Sequence, residues 1–243
     1  MEAIQEGKRV PNVEFKVFEH GTWKTITTDD LFKNKKVVVF SLPGAFTPTC
    51  SSSHLPRFND LAPVFKNNGI DDIVCISVND TFVMNEWKKE QEAENVRLIP
   101  DGNGEFTEGM GMLVDKSRIG FGKRSWRYSM LVNDCVVEKM FIEPEVEGDP
   151  FQVSDADTML AYVAPNAEKP LFFTLVTKRG CIHCERARKL LREKAMLFEE
   201  VELSRTVTTR SLRALSGRAT TPQIFVGGKH IGGADDLEAY FKG

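Results

Sequence analysis

Apolar positions along this chain follow two alternating patterns. Lys36-Val37-Val38-Val39-Phe40-Ser41-Leu42 is an apolar, β-branched run that predicts a buried strand, closed by Pro43-Gly44. From Ser51 to Lys66, Leu55, Phe58, Leu61, Ala62 and Phe65 recur at helical spacing, and Pro56 and Pro63 are expected to bend or interrupt that helix. Asp72 to Val78 repeats the strand pattern and Phe82 to Gln91 the helical one. Tyr128 to Val132 and Val136 to Ile142, separated by Asn133-Asp134-Cys135, predict a hairpin that closes the sheet edge. Asp155 to Tyr162 predicts a short helix. Strands alternating with helices indicate an α/β layer with a partly parallel sheet.

After Ala164-Pro165-Asn166-Ala167-Glu168-Lys169-Pro170 the pattern restarts. Leu171 to Thr177 predicts a strand, Cys184 to Met196 a helix, Phe198 to Leu203 a strand and Thr208 to Leu215 a helix. Gln223 to Val226 and His230-Ile231 predict a hairpin around Gly227-Gly228, and Asp235 to Phe241 a final helix. The order is β-α-β-α-β-β-α within 74 residues, with short connections throughout. The expected division is a module over 1–163, a linker over 164–169 and a second module over 170–243. In each module an apolar strand and a short turn lead to a cysteine at the start of a helix: Cys50 after Phe40-Ser41-Leu42, and Cys181 after Leu175-Val176-Thr177.

Composition narrows the function classes. The chain has 243 residues, 41% of them hydrophobic, which excludes collagen-like, mucin-like and disordered classes. No apolar run approaches the ~18 residues of a membrane span. Met1 to Lys8 carries acids and no apolar core, so it does not read as a secretory signal. Five cysteines, an odd number, then point to reduced thiols in the cytoplasm rather than to a disulfide framework. The net charge of −3 conceals an asymmetry: residues 1–169 carry 19 basic and 27 acidic side chains, and residues 170–243 carry 13 and 8. The halves are thus −8 and +5, either two ordinary solvated surfaces or a means of docking one module on the other. The basic module has no run of five like charges and no interleaved aromatics, so nucleic acid is not an expected partner.

The segment Pro43-Gly44-Ala45-Phe46-Thr47-Pro48-Thr49-Cys50 carries candidate chemistry. A helix N-terminus presents unpaired N–H groups and a positive dipole end, which favour a thiolate. The prolines stiffen the turn, and the Thr47 hydroxyl is placed to meet an incoming oxygen. A lone cysteine after a strand is equally a buried small side chain. Pro43…Thr47…Cys50, with Ser77-Val78-Asn79-Asp80 and Arg127-Tyr128-Ser129-Met130, resembles the signature of type-five, glutaredoxin-coupled peroxiredoxins over about residues 5–163. The resemblance implies a thioredoxin-like domain in which the Cys50 thiolate attacks a hydroperoxide and becomes a sulfenic acid, the reversible first rung of thiol oxidation. It implies that Arg127, ranked above nearby Arg124, holds the thiolate and polarises the peroxide, and that no metal, haem or flavin takes part. No cysteine lies between Pro144 and Pro165, where part of this subfamily keeps a resolving thiol. Cys75 and Cys135 fall in or beside strands and read as packed thiols.

Lys178-Arg179-Gly180-Cys181-Ile182-His183-Cys184 places a C-x-x-C between a strand and a helix, as in thioredoxin-like redox sites. The competing reading, half of a zinc site, needs a second ligand pair at the right spacing, and His230 stands alone downstream. Together with Thr221-Pro222 and Gly232-Gly233-Ala234-Asp235-Asp236-Leu237, the motif resembles glutaredoxin over the whole second module. That resemblance implies a second thioredoxin-like domain with a cis proline. Cys181 is then the attacking thiol and Cys184 its neighbour, with Lys178, Thr221, Pro222, Gly233, Ala234 and Asp235 around glutathione. Ile182-His183 replaces the family's usual Pro-Tyr or Pro-Phe. Asp235 also reads as a helix cap.

These readings combine into a glutathione-dependent peroxidase: glutathione as co-substrate, no tightly bound cofactor, hydroperoxides as substrates and a homo-oligomer, dimer or tetramer, by resemblance. A redox sensor that passes oxidation to a client and a metal or iron–sulfur module are the alternatives. A dinucleotide site is poorly supported, because Gly102-Asn103-Gly104 lacks the third glycine and the strand–helix setting.

Overall fold

The computed structural model describes residues 5–146, 148–169, 171–194, 196 and 198–242. Met1 to Ile4, Pro170 at the expected start of the second module and Ala195 within the expected Cys184–Met196 helix lie outside these residues. Contacts divide the chain into two compact units, Met1–Lys169 and Pro170–Gly243. Residues 164–169, expected as a linker, group with the first unit: Ala164 and Ala167 pack against its core, and Lys169 reaches the Asp157 carboxylate at 2.6 Å.

In the first unit, β1 (Glu14–Glu19) and β2 (Thr22–Thr27) form an antiparallel hairpin, followed by α1 (Thr28–Phe32). Thr27 and Asp30 cap α1 reciprocally, each side chain taking the other's backbone N–H. The main elements are β3 (Lys36–Ser41), α2 (Leu55–Asn67), β4 (Asp72–Ser77), α3 (Thr81–Glu90) and β5 (Arg97–Pro100). Then follow α4 (Glu105–Gly109), the short pair β6 (Leu113–Asp115) and β7 (Lys123–Ser125), β8 (Tyr128–Asn133), β9 (Val136–Ile142) and α5 (Ala156–Val163). The sheet order is β5-β4-β3-β8-β9, with β5, β4 and β3 parallel and β8 and β9 antiparallel. Strand side chains alternate faces, so Val37 and Val39 enter one core cluster while Val38 and Phe40 enter the other. Because β3 is covered on both faces, its sequence is continuously apolar. Asp134 and Cys135 turn the β8–β9 hairpin at φ 46° and 65°, the left-handed pair that a tight hairpin needs.

The second unit contains β10 (Phe173–Thr177), α6 (Ile182–Glu193), β11 (Phe198–Glu202), α7 (Thr209–Ser216), β12 (Gln223–Val226), β13 (Lys229–Gly232) and α8 (Ala234–Tyr240). Its sheet order is β11-β10-β12-β13, with β11 parallel to β10 and the others antiparallel. β3 and β10 therefore occupy equivalent places: each has a parallel neighbour on one side, an antiparallel one on the other, and a cysteine beyond its C-terminal end. Exposed glutamates on β11 protect that sheet edge from further pairing. Among the described residues no helix is long and apolar enough to cross a membrane.

Candidate active sites

Cys50 follows the β3 turn and is fully buried. It opens a wide helical turn, Cys50–His54, in which the Leu55 N–H reaches back five residues to the Cys50 carbonyl. Pro56 accounts for the widening: it has no N–H to donate, and its ring would press on the carbonyl four residues earlier in a regular helix. Pro63, by contrast, sits inside α2 without interrupting it. The turn before Cys50 is held from outside. Asn79 Oδ1 accepts from the Ala45 N–H at 3.0 Å and from the Ser77 hydroxyl at 2.7 Å. Thr47 donates its hydroxyl proton to the Gly44 carbonyl at 2.9 Å, which leaves its oxygen as an acceptor for an O–H donor. Pro43 and Thr47 line a pocket of about 310 Å³ with Pro48, Thr49, Lys116, Ile119, Phe121, Gly148 and Asp149.

Arg127 leads into β8 and is 1% exposed. Its Nη1 donates to His54 Nδ1 at 3.1 Å, and its Nη2 reaches both Asp149 oxygens at 2.5 and 2.7 Å. Nε has no partner among the described residues. His54 Nε2 lies 3.1 Å from the Ser154 carbonyl, which can only accept, so the His54 proton sits on Nε2 and Nδ1 is free to accept from Arg127. Burial, and then the Arg127 charge, push the His54 pKa down to about 3, so the ring is neutral at physiological pH. The ring packs against Phe40, Phe58 and Phe151. A buried guanidinium without a counter-charge costs several kcal/mol, and Asp149 supplies the one here. Arg124 lies beside the Gly44 turn and donates to the carbonyls of Phe121 and Val78.

Cys75 lies on β4, fully buried, and burial followed by the neighbouring Cys50 raises its pKa well above the ordinary thiol value. Cys135 sits in the hairpin turn with its thiol toward Asp29, and burial raises its pKa as well.

Cys181 is the N-cap of α6, one turn earlier than the expected helix start, so Cys184 falls within the first turn. The Cys184 N–H donates to Cys181 Sγ at 3.3 Å, and the Thr221 hydroxyl approaches the same sulfur at 3.6 Å. Burial opposes ionisation of Cys181, but hydrogen bonds from the Cys184 thiol, the Thr221 hydroxyl and the Cys184 and His183 N–H groups outweigh it and lower the pKa. Burial, followed by Cys181 itself, raises the pKa of Cys184. The Thr221–Pro222 peptide is cis.

Thr221, Pro222, Gly233, Ala234 and Asp235 line one pocket of about 300 Å³. Lys178 is exposed and is not among the lining residues. His183, Arg186, Arg218, Thr220, Gln223 and Asp236, which the motif reading did not select, complete the wall. Arg186 pairs with Asp235, and Arg218 with Asp236 at 2.9 Å. Gly232 has φ +126°, and a side chain there would meet the Asp236 carboxylate at 2.0 Å, so this close approach requires glycine. Among the described residues no three His, Cys, Asp or Glu side chains cluster as a metal set. His230 is instead 2.7 Å from Gln223 Oε1.

Comparison with known proteins gives the family of each unit. A redoxin family model matches residues 5–160 and a glutaredoxin model residues 173–231. A hybrid peroxiredoxin of Haemophilus influenzae is 63% identical over 97% of this chain and 98% of its own length. The chain belongs to the peroxiredoxin family, with a C-terminal glutaredoxin domain. A Synechocystis peroxiredoxin is 56% identical over 68% of this chain and 96% of its own. Among solved structures, reduced Prx3 of Vibrio vulnificus in complex with hydrogen peroxide superposes with a TM-score of 0.62 at 38% identity, covering 66% of this chain and 99% of that one. Both domains are thioredoxin-like. In the peroxiredoxin domain, motif reading missed His54 and Asp149, the two partners of Arg127. His54 lay inside the signature helix and was legible there as a polar side chain on an apolar face. In the glutaredoxin domain, Gly233, Ala234 and Asp235 lie just beyond the matched residues.

Proposed function

We propose that this peroxiredoxin is a glutathione-dependent peroxidase for hydrogen peroxide and organic hydroperoxides, recycled by its own glutaredoxin domain. The Cys50 thiolate attacks the terminal oxygen of the hydroperoxide. The O–O bond breaks, the alcohol or water leaves with a proton, and Cys50 becomes a sulfenic acid. Thr47, the Cys50 N–H and Arg127 stabilise the charge that develops on the two oxygens, and Pro43 walls the site. Glutathione condenses with the sulfenic acid, releases water and leaves a mixed disulfide. Cys181 attacks the glutathione sulfur and frees Cys50. A second glutathione frees Cys181 as oxidised glutathione leaves, or Cys184 closes a transient disulfide in its place. Lys178, Thr221, Pro222, Gly233, Ala234 and Asp235 cradle the tripeptide. The peroxidase domain spans 1–163, residues 164–169 lead onward and the reductase spans 170–243. The enzyme works in the reducing cytoplasm as a homo-oligomer, with glutathione as co-substrate and no resident cofactor.

One observation carries this reading. A fully buried cysteine in the domain of the buried Arg127 shares a chain with Cys181, whose thiol has a lowered pKa and whose neighbour Thr221 lines a tripeptide-sized pocket. The test is NADPH consumption coupled through glutathione and glutathione reductase. Wild type is expected to turn over many equivalents of peroxide per chain, and Cys50→Ser none. Full activity in Cys50→Ser, or a single turnover by wild type, contradicts the reading.

A further inference from the structure

Arg127 has three nitrogens, and two are already committed. Nη1 is held by neutral His54 and Nη2 by both oxygens of Asp149. Only Nε is left without a partner among the described residues, on a side chain that is 1% exposed. A guanidinium is rigid and planar, so fixing its two terminal nitrogens fixes where Nε points. Asp149 itself comes from a loop rather than from the sheet. It follows Gly148, at φ +101°, and precedes Pro150, and its carboxylate is 39% exposed toward the pocket that Pro43 and Thr47 share.

That loop is tied down. The buried Glu143 carboxylate accepts the N–H groups of Gln152, Val153 and Ser154 and the Ser154 hydroxyl, at 2.8 to 2.9 Å. Burial raises the Glu143 pKa, but these four donors outweigh it and leave it lowered, so the carboxylate is charged and at full acceptor strength. Phe151 lies against the face of the guanidinium, 5.5 Å from ring centroid to Cζ. The loop therefore clamps Arg127 through charge at Asp149 and through shape at Phe151.

We propose that Asp149 is a positioning residue of the peroxidase reaction, acting only through Arg127: it orients the guanidinium so that its unpartnered edge serves the sulfur and the peroxide. This rests on the peroxidase reading of Cys50. The prediction is a coupling. Asp149→Ala lets the guanidinium turn, and Cys50 oxidation slows by about tenfold to a hundredfold, as expected when a catalytic group is displaced by about 1 Å. Asp149→Asn keeps an acceptor for Nη2 and recovers most of the rate. In an Arg127→Gln background, Asp149→Ala has no further effect, because its only route to the sulfur is gone.

The experiment is a cycle of wild type, Asp149→Ala, Arg127→Gln and the double variant, with Asp149→Asn alongside. The second-order rate of Cys50 oxidation by tert-butyl hydroperoxide is read by mass on the Cys50 peptide. A tryptophan-fluorescence melt confirms that each variant is folded. Loss in Asp149→Ala, rescue in Asp149→Asn and no added loss in the double variant support the proposal. Independent, multiplicative losses, or an Asp149→Ala rate equal to wild type, overturn it while leaving the peroxidase reading in place. A wild-type Cys50 inert to the hydroperoxide overturns both.

Discussion

Cys50 and Cys181 stand at equivalent places, each beyond the central strand of a thioredoxin-like sheet, yet they are surrounded by different means. Cys181 is 8% exposed and takes one donor from its own helix turn, the Cys184 N–H, and a weaker one from the Thr221 hydroxyl beside the cis proline, 40 residues on. Cys50 is 0% exposed, and the charged group proposed to serve it, Arg127, stands 77 residues later at the entry to β8. Arg127 in turn depends on His54 and on Asp149 from a further loop. The Cys181 donors are neutral and begin in its own helix turn, whereas Arg127 is a buried charge held by tertiary contacts.

The largest expected effect tests that asymmetry directly. Arg127→Leu is expected to slow Cys50 oxidation by about 10²- to 10³-fold, the usual loss when one charge-stabilising donor is removed. Reduction of a glutathione mixed disulfide by Cys181 in the same variant stays at the wild-type rate. An equal loss at both cysteines breaks the comparison. A second test concerns packing. Phe40 and Phe58 stack at 4.2 Å between centroids beside His54. Phe58→Ala is expected to destabilise the peroxiredoxin domain by about 3–5 kcal/mol. Trp23, Trp87 and Trp126 are the chain's three tryptophans and all lie in that domain, so a fluorescence-monitored urea melt reads it alone. Cys181 activity is expected to survive at urea concentrations where the fluorescence transition of Phe58→Ala is complete.

How much of this was legible in the sequence follows the same divide. β3 and β4 were readable because both of their faces are buried, and continuous Val, Ile and Phe leave little ambiguity. The β8–β9 hairpin was readable from two apolar runs around Asn133-Asp134-Cys135. The β1–β2 hairpin was not: Thr22 to Thr25 are all exposed and include Trp23, so no clean alternation appears. β6 and β7 are three residues each, too short for any period. At the sites, Pro43, Thr47 and Cys50 fall within one segment, and Arg127 is carried by a motif. Asp149 had no signal of its own, since an exposed acid in a Gly-Asp-Pro corner gains its role only when the loop closes on Arg127. Arg186 and Arg218 were hidden for the same reason, as their partners Asp235 and Asp236 lie far along the chain. Motif resemblance nominated Lys178, and the fold leaves it outside the pocket wall.

Two smaller effects sharpen the contrast. His54 has a folded-state pKa of about 3, lowered by burial and then by Arg127, against about 6.5 when unfolded. Between those values the unfolded chain binds a proton that the native state refuses, so stability falls as pH falls from about 6.5 toward 3, by up to about 1.4 kcal/mol per pH unit. Urea midpoints read by tryptophan fluorescence between pH 4.5 and 7 are expected to slope more steeply in wild type than in His54→Asn. Equal slopes mean that His54 is not the proton-linked group. The smallest effect belongs to the Cys181 site. Cys181 is expected to be alkylated before Cys184 at neutral pH, and Thr221→Val to slow its labelling by about threefold, the loss of one weak hydrogen bond. A much larger loss means that the Thr221 hydroxyl, and not the helix turn, is the main support of Cys181.

The central claim is that the two cysteines work in series, and intact mass after one equivalent of peroxide followed by glutathione tests it most directly. Wild type is expected to return to its unmodified mass, and Cys181→Ser to accumulate as a single glutathione adduct that peptide mapping places on Cys50. A Cys181→Ser chain that clears the adduct as fast as wild type contradicts the account.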